Sequence, residues 1–258
     1  MTRSRLLSLL CAMLTPVASF AGRPLTIDDA GVVEKGLYQV EVGAAGEGDS
    51  EITHWDFPAE LAYGIAPSVQ VNLGFGGQLE ERTEILSHDE HRTDHVGGIG
   101  DLTLGGKWLL IPECPLGASH AIAASIKFPT ADESRQLGSG HTDYDATWIV
   151  SRAINDNVAI HLNLGYSWIG GADCNVLHYG AALDVMLTDS LQWVGEVFSD
   201  REHHSDTPDL VMGNTGLRWT ASDTLTWDIA GGARIHGESP DWQFTVGLTW
   251  QFGPLRLN

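Results

Sequence analysis

Basic residues are scarce in this sequence. Its 258 residues include 34 acidic side chains but only 14 lysines and arginines, which gives a formal net charge of -20 at pH 7. Binding to the phosphates of nucleic acid requires clustered basic side chains. The shortage therefore argues against a nucleic-acid partner. Apolar residues make up 43% of the chain, which is too many for a disordered protein.

Long apolar runs are also missing beyond the first segment. After residue 21, no run reaches the roughly 20 apolar residues that a membrane-spanning helix needs. The chain has only ten prolines, together with 30 glycines and nine tryptophans, and this composition indicates an all-β protein rather than a helix bundle. If the protein lies in a membrane, it must therefore be a β-barrel.

Residues 1–21 have the pattern of a secretory signal peptide. Arg3 and Arg5 precede an apolar stretch, and Ser19 and Ala21 occupy the small-residue positions before a cleavage site. Pro16 ends the apolar stretch too early for a membrane anchor. Removal of this segment also removes two arginines, so the mature chain carries a net charge of -22.

From Gly36 onward, apolar and polar residues alternate with a period of two. The last such run alternates Trp242, Phe244 and Val246 with Gln243 and Thr245. Runs of about ten residues with this period are typical of transmembrane β-strands. Twelve runs of this kind lie between residues 36 and 252. Their apolar faces hold all nine tryptophans and all five tyrosines, whereas Phe198 falls on the polar face.

The connections between these runs alternate in length. Short connections follow the even-numbered runs, and mostly longer, polar ones follow the odd-numbered runs, including 77–96 and 129–142. This layout predicts a 12-stranded antiparallel up-and-down transmembrane β-barrel in the bacterial outer membrane, with short periplasmic turns and longer extracellular loops. The alternative is a secreted β-sandwich or a lectin-like barrel, which also alternates. The predicted organisation has four parts: signal peptide 1–21, periplasmic N-terminal segment 22–35, barrel 36–252 and C-terminal tail 253–258.

The predicted topology separates the two mature cysteines. Cys114 falls in a periplasmic turn and Cys174 in an external loop. The apolar band of a barrel is about 25 Å tall, whereas the Cα atoms of a disulfide lie within about 7 Å of each other. We therefore expect no disulfide.

Acidic residues are concentrated at the external loops and on the inward-facing parity of the strands. The six long connections carry 18 acidic residues against four arginines, so divalent cations are the one expected ligand there and no other cofactor is indicated. The inward parity carries nine acids against four bases, Lys107, Lys127, Arg218 and Arg234. Either the lumen is open, wet and selective for cations, or these groups pair with one another and fill it.

Two loop segments contain residue types that occur in metal sites and catalytic sites. His88, His91 and His95 lie within eight residues that also hold three acids, a set suited to weak zinc or nickel capture but equally to a solvated loop. Ser139 and His141 lie at the predicted outer rim, where an outer-membrane acyl hydrolase would need them. Without a third orienting group they do not form a triad, so we assign no catalytic residues and expect no enzyme.

Three segments resemble the MetA-pathway of phenol degradation family of outer-membrane β-barrels. They are Arg23 to Ala30 with Glu34-Lys35-Gly36, Gly98 to Lys107, and Ile126 to Thr130 followed by Leu137 to Gly140 and Asp143. The resemblance implies a porin-like or transporter-like role, with aromatic catabolites among the solutes. The chain departs from barrels of this class in continuing beyond Phe252 with Gly253 and Pro254.

Together these patterns predict a channel or transporter for passive passage of small solutes, among outer-membrane lipids. An acyl hydrolase and a closed structural or binding barrel are the alternatives, and the oligomeric state stays open. The inward-facing polar residues that we expect to contact solute in the lumen are Asp101, Lys107, Lys127, Asp143, Asp145, His161 and Arg218.

Overall fold

The computed structural model describes residues 22–87, 90–172, 174–203, 208–238 and 240–253, with side chains for all of these except residues 83–92. The described chain is almost entirely antiparallel sheet. Its strands are β1 (Tyr38–Gly48), β2 (Ile52–Ala66), β3 (Val69–Ser87), β4 (Glu90–Ile99), β5 (Leu102–Ile111), β6 (Ala118–Phe128), β7 (Asp143–Asn155), β8 (Val158–Trp168), β9 (Asn175–Met186), β10 (Leu191–His203), β11 (Leu210–Ser222), β12 (Leu225–His236) and β13 (Trp242–Phe252). A single 3-10 turn, Glu133–Arg135, interrupts the loop after β6.

The sheet closes on itself. Apart from β4 and β5, strands that are neighbours in sequence pair with each other. β1 also pairs with β13, from Tyr38 opposite Phe252 to Gly48 opposite Trp242. β4 and β5 both pair with β3, because the chain breaks at Gly100 and Asp101 within what is one long barrel strand. The predicted closed, 12-stranded antiparallel barrel is therefore confirmed.

One end of the barrel carries the short turns, the start of β1 and the end of β13, and we call it the turn end. The opposite loop end carries the connections after β1, β3, β6, β8, β10 and β12. The prediction of a loop at residues 77–96 was wrong: these residues form the outer part of β3 and most of β4, a hairpin that extends beyond its neighbours. Both of its faces are polar, so no apolar periodicity marked it as a strand.

Side chains divide between the two faces of the sheet as the alternation predicted. Large apolar residues are exposed on the outside, with Trp108 and Trp219 more than half accessible. Carboxylates such as Glu41, Asp145 and Asp228 are buried on the inside. Among the described residues, no helix has the length and apolar character needed to cross a membrane. Neither Cys114 nor Cys174 forms a disulfide, as expected.

This arrangement predicts the effect of a charge on the outer wall. Leu162 lies at the middle of β8, faces outward and is about half exposed. If that face contacts lipid, Leu162→Arg lowers the free energy of unfolding by about 2–4 kcal/mol, the cost of an arginine near the bilayer midplane. Chemical unfolding in liposomes measures this cost. Asn157→Arg in the adjacent exposed turn is the control, and an equally small effect of both substitutions argues for a water-facing wall.

Candidate functional site

Residues 22–35, which we call the plug segment, lie inside the barrel. Gly36, with a left-handed backbone at φ 86°, turns the chain from this segment into β1. A bridge between Lys35 and Gly64 marks the entry near the turn end. We expected this segment to lie in the periplasm beside the barrel, but its contacts are with inward-facing residues of the strands. The physical reason is that these buried groups supply partners for its charges and amides.

Arg23 is fixed to the wall by its guanidinium group. Nε and Nη2 donate to the two carboxylate oxygens of Asp228, both at 3.1 Å, and Nη2 also donates to Thr245 at 3.0 Å. The group lies against Gly43 and Gly247, which face each other on β1 and β13. A Cβ at either glycine would overlap the guanidinium. The wall is therefore shaped to receive this side chain.

Glu196 on β10 holds the backbone of the plug segment. Its carboxylate accepts hydrogen bonds from the amides of Thr26 (2.9 and 3.0 Å) and Ile27 (2.7 Å). Asn214 donates to the same carboxylate at 2.7 Å. Amides without a partner would be costly to bury, and this single carboxyl group satisfies two of them.

Asp28 carries the next ionic contact. Lys107 Nζ on β5 lies 2.9 and 3.0 Å from its carboxylate oxygens and 3.0 Å from the carbonyl oxygen of Asp29. The amide group of Asn163, oriented so that both its atoms are satisfied, bonds the backbone N–H and carbonyl of Asp28 at 2.8 and 2.9 Å. The plug segment is thus held on its side chain and on its backbone at one residue.

Further along, side chains of the wall accept two more plug amides. Ser151 on β7 accepts from Ala30 at 2.8 Å, and Gln70 on β3 accepts from Val33 at 2.8 Å. The plug segment therefore crosses the lumen, from β3 on one side to β11–β13 on the other.

Apolar contacts complete the seat. Leu25 and Ile27 pack against Val194, Phe198 and Met212, which all point inward. Gly180 leaves room for Ile27, because a Cβ there would lie 2.6 Å from its Cδ1. Phe198 is the aromatic residue whose inward parity was exceptional in the sequence, and the plug explains its position.

Arg218 and His161 connect the plug to the wall at the turn end. Arg218 donates to the carbonyl oxygens of Gly22 (2.8 Å) and Arg23 (2.6 Å) and pairs with Asp184 at 2.7 Å. His161 lies 2.8 Å from the Ser151 hydroxyl through Nδ1 and 3.5 Å from Asp184 through Nε2. Both were predicted as lumen residues, and both belong to the plug's support.

The loop end holds the other predicted lumen residues. Lys127 lies 2.5 Å from Asp143 and 3.4 Å from Asp101. Asp145 accepts from Ser167 at 2.7 Å and contacts His178 Nε2 at 2.8 Å. Of the seven predicted residues, Asp101, Lys127 and Asp143 thus form one cluster and Lys107, His161 and Arg218 contact the plug or its supports, while Asp145 is separate from both groups.

The loop at residues 129–142 is fastened over this end. Asp101, at the break between β4 and β5, accepts from the amides of Thr130 (2.9 Å) and Ala131 (2.8 Å). Arg135 donates to the carbonyl of Gly97 at 2.8 Å. The strand break therefore has a structural consequence, because it provides the carboxylate that anchors the loop.

A polar cavity of about 40 Å³ remains beside the plug. Its lining includes Asp28, Glu60, Asn72, Lys107 and Asp145. A volume of this size holds a few water molecules. It therefore leaves no room for an organic solute at this point while the plug is seated.

The metal hypothesis for residues 88–95 stays a prediction, and the structure describes the surroundings of Ser139 and His141 in the second loop. His88 and the side chain of His91 lie outside the described residues, and His95 contacts Glu81 at 3.7 Å. In the described part of the chain, no cluster of three metal-binding side chains occurs. The Ser139 hydroxyl contacts Lys127 Nζ at 3.1 Å and the backbone of His141, rather than its imidazole.

Sequence reasoning missed the plug. The available signal was a set of misplaced apolar residues: Leu25, Ile27 and Val33 in an expected periplasmic segment, and Val194 and Met212 on the inward parity of strands. Only contacts between residues far apart in the sequence explain why these positions are apolar. The ion pair of Arg23 joins positions 205 residues apart.

Comparison with known proteins identifies the family. The profile described as Uncharacterised conserved protein UCP029691 matches residues 9–252. The chain belongs to this family. Among curated proteins, none matches the sequence. The resemblance to the MetA-pathway family stays a prediction.

Several solved structures share the fold. The COG4313 outer membrane channel from Pseudomonas putida F1 is 12% identical, with a TM-score of 0.61 over 87% of this chain and 98% of that one. The transport unit of the autotransporter AIDA-I from Escherichia coli is 10% identical, with a TM-score of 0.56 over 96% and 98%. The NanC porin is 8% identical, with a TM-score of 0.56 over 82% and 98%. At these identities the likeness establishes the barrel fold.

The seat of Arg23 yields a direct test. Ile27→Cys reports on plug position, because this side chain is buried in the seated plug. Gly43→Ala places a Cβ where the guanidinium lies, so we expect it to raise the rate of Ile27→Cys modification by a charged thiol reagent about tenfold. Cys114 and Cys174 must first be replaced by serine, since a hydrogen bond from His120 lowers the pKa of the Cys114 thiol to about 7 and makes it reactive.

The matched control is Gly231→Ala. A Cβ at this glycine meets only the Gln243 carbonyl oxygen, at an ordinary 3.6 Å. We expect no change in labelling from it. Equal labelling rates in both variants contradict the assigned role of Gly43.

Proposed function

We propose that this protein is an outer-membrane channel for small hydrophilic solutes, closed by the plug segment and conducting when that segment leaves the lumen. The observation that carries the proposal is the polar attachment of residues 22–33 to the inner wall, centred on Arg23 and Asp228. The proposal has three parts: location, gating and selectivity.

The outer wall supports the location. Exposed aromatic and aliphatic side chains cover it, including Trp148 and Trp250 at nearly half accessibility. Such a surface is typical of a lipid-facing barrel. The signal-peptide pattern and the fold shared with an outer-membrane channel and a porin support the same address.

The chemistry of the plug interface supports gating rather than permanent closure. Its attachments are ion pairs and hydrogen bonds to Asp228, Lys107, Glu196, Ser151 and Gln70. Water can replace each of these contacts once the segment moves, whereas a permanently filled barrel packs the side chains of its own strands. Apolar contacts oppose release at two places, around Leu25 and Ile27 and where Ala30 packs against Ala121 and Ile149.

The charges uncovered by plug release support selectivity for cations. When Arg23 leaves, Asp228 loses its partner, and Glu196 loses its two amide donors. Glu41 and Glu60 face each other inside β1 and β2, and one Glu41 oxygen has no hydrogen-bond partner among the described groups. Lys107 and Arg218 are the basic residues uncovered in turn, and Arg218 keeps its pair with Asp184. The emptied lumen is therefore acidic overall, which concentrates cations.

The solute class follows from this charge. Small neutral or cationic solutes fit an acidic lumen, whereas anionic aromatic acids are repelled by it. Aromatic catabolites, which the family resemblance implied, stay a prediction restricted to uncharged members of that class. Divalent cations at the acidic external loops also stay a prediction.

Planar bilayer recordings test the proposal. We expect the native protein to be mostly closed and Arg23→Ala to raise the open fraction at least tenfold, because it removes the bidentate contact to Asp228 and leaves that carboxylate unpaired. The open steps should be cation-selective. Heat-dependent mobility on gels checks that each variant retains a folded barrel.

A reversible cross-link provides the control. Ile27→Cys with Ala182→Cys, in the Arg23→Ala chain without the native cysteines, places two thiols in the apolar cluster that joins Ile27 to β9. Oxidation should close the channel and reduction should reopen it. A folded Arg23→Ala protein that shows neither conductance nor solute uptake in liposomes would falsify the channel proposal.

A further inference from the structure

The first described residue of the plug, Gly22, lies among acidic side chains in the lumen. Its backbone nitrogen donates to Asp28 Oδ1 at 3.1 Å. A Cβ on Gly22 would stand 3.5 Å from Asp29 Oδ2 and 3.7 Å from Asp28 Oδ1. Arg218 binds its carbonyl oxygen at 2.8 Å. The Asp28 carboxylate thus binds the nitrogen of Gly22, and the Asp29 carboxylate lies beside the same residue.

The signal-peptide pattern predicts cleavage between Ala21 and Gly22. Cleavage converts the Gly22 nitrogen from an amide with one N–H into a primary amine. An α-amino group has a pKa of about 7.7–8.0, so it is largely protonated at neutral pH and donates three hydrogen bonds. The predicted processing event therefore creates a positive charge at this position.

The local ion pairs leave one carboxylate for this charge. Arg23 pairs with Asp228, Lys107 with Asp28, and Arg218 with Asp184. The Asp29 carboxylate accepts a hydrogen bond from the amide of Gly31 at 2.6 Å, and it belongs to none of these three ion pairs. Asp29 therefore has no basic side chain of its own among these three pairs, and a cation at Gly22 would supply its counter-charge.

We propose that the mature α-ammonium group of Gly22 is the terminal anchor of the plug, bound by Asp28 and Asp29. This inference rests on the proposed channel function. It assigns a new ligand, the chain's own primary ammonium, to these two carboxylates. It also couples gating to maturation, because the uncleaved chain lacks the charge and is extended at this point. The plug is then fully seated only after the signal peptide is removed.

Chemical accessibility of the amine tests the anchor without any current measurement. Intact mass should show a mature chain that begins at Gly22. Modification with 2-pyridinecarboxaldehyde, which is specific for α-amines, should be at least fivefold slower in the native protein than in Arg23→Ala, where the plug is released. A mature chain that begins elsewhere, or equal rates in the two proteins, overturns the inference.

Displacement of the charge provides the second test. Two glycines inserted after Ala21 leave the predicted cleavage position in place and move the ammonium beyond Asp28 and Asp29. We expect the open fraction in bilayers to rise about tenfold. Two glycines inserted after Asp156, in the exposed turn between β7 and β8, are the matched control, because they lengthen the chain by the same amount and keep the ammonium in place.

Coupling to Asp29 identifies the partner. Asp29→Asn should raise the open fraction several-fold in the native chain and have little further effect in the chain with two added glycines. Independent, additive effects of the two changes overturn the inference. If Arg23→Ala conducts and the extended chain stays closed, the anchor fails while the channel stands. If neither conducts, the channel proposal itself fails.

Discussion

A charge buried inside a barrel must find a partner, and this constraint organises the molecule. Strands that alternate between an apolar outer face and a polar inner face place their carboxylates in the lumen. There the N-terminal segment supplies Arg23 to Asp228 and backbone amides to Glu196, while Lys107 neutralises Asp28. Because a lone ion in such a site is costly, wall and plug stabilise each other. The closed state is the one in which these charges are paired.

In the proposed channel, the same pairing makes closure reversible. An apolar filling would be held by area alone, and its exposure to water would be unfavourable at every step. Here most contacts exchange a protein partner for water, and the charges set free on both sides are well solvated. Gly43, Gly180 and Gly247 add shape to this chemistry, since each leaves room for a plug side chain. The inner wall therefore binds the plug segment specifically, mostly through contacts that water can replace.

The sequence predicted the barrel because strand alternation is a local property. Leu162 and Asn163 reveal their faces through their immediate neighbours, and the short turns mark one end. The β3–β4 hairpin escaped prediction because both its faces are polar. The plug escaped for another reason: Lys107 and Arg218 were expected inside, but their partners in the plug lie 79 and more residues away. Periodicity cannot identify such partners, so the sequence did not distinguish an open lumen from a filled one.

Hydrogen exchange of the plug amides in a lipid bilayer tests the central claim most directly. The amides of Thr26, Ile27, Ala30 and Val33 donate to Glu196, Ser151 and Gln70. For a seated plug we expect the peptide that covers residues 22–36 to exchange at least a hundredfold more slowly than an unstructured chain, and Arg23→Ala to remove much of this protection. Complete exchange of this peptide within seconds in the native protein would show that the segment does not occupy the lumen.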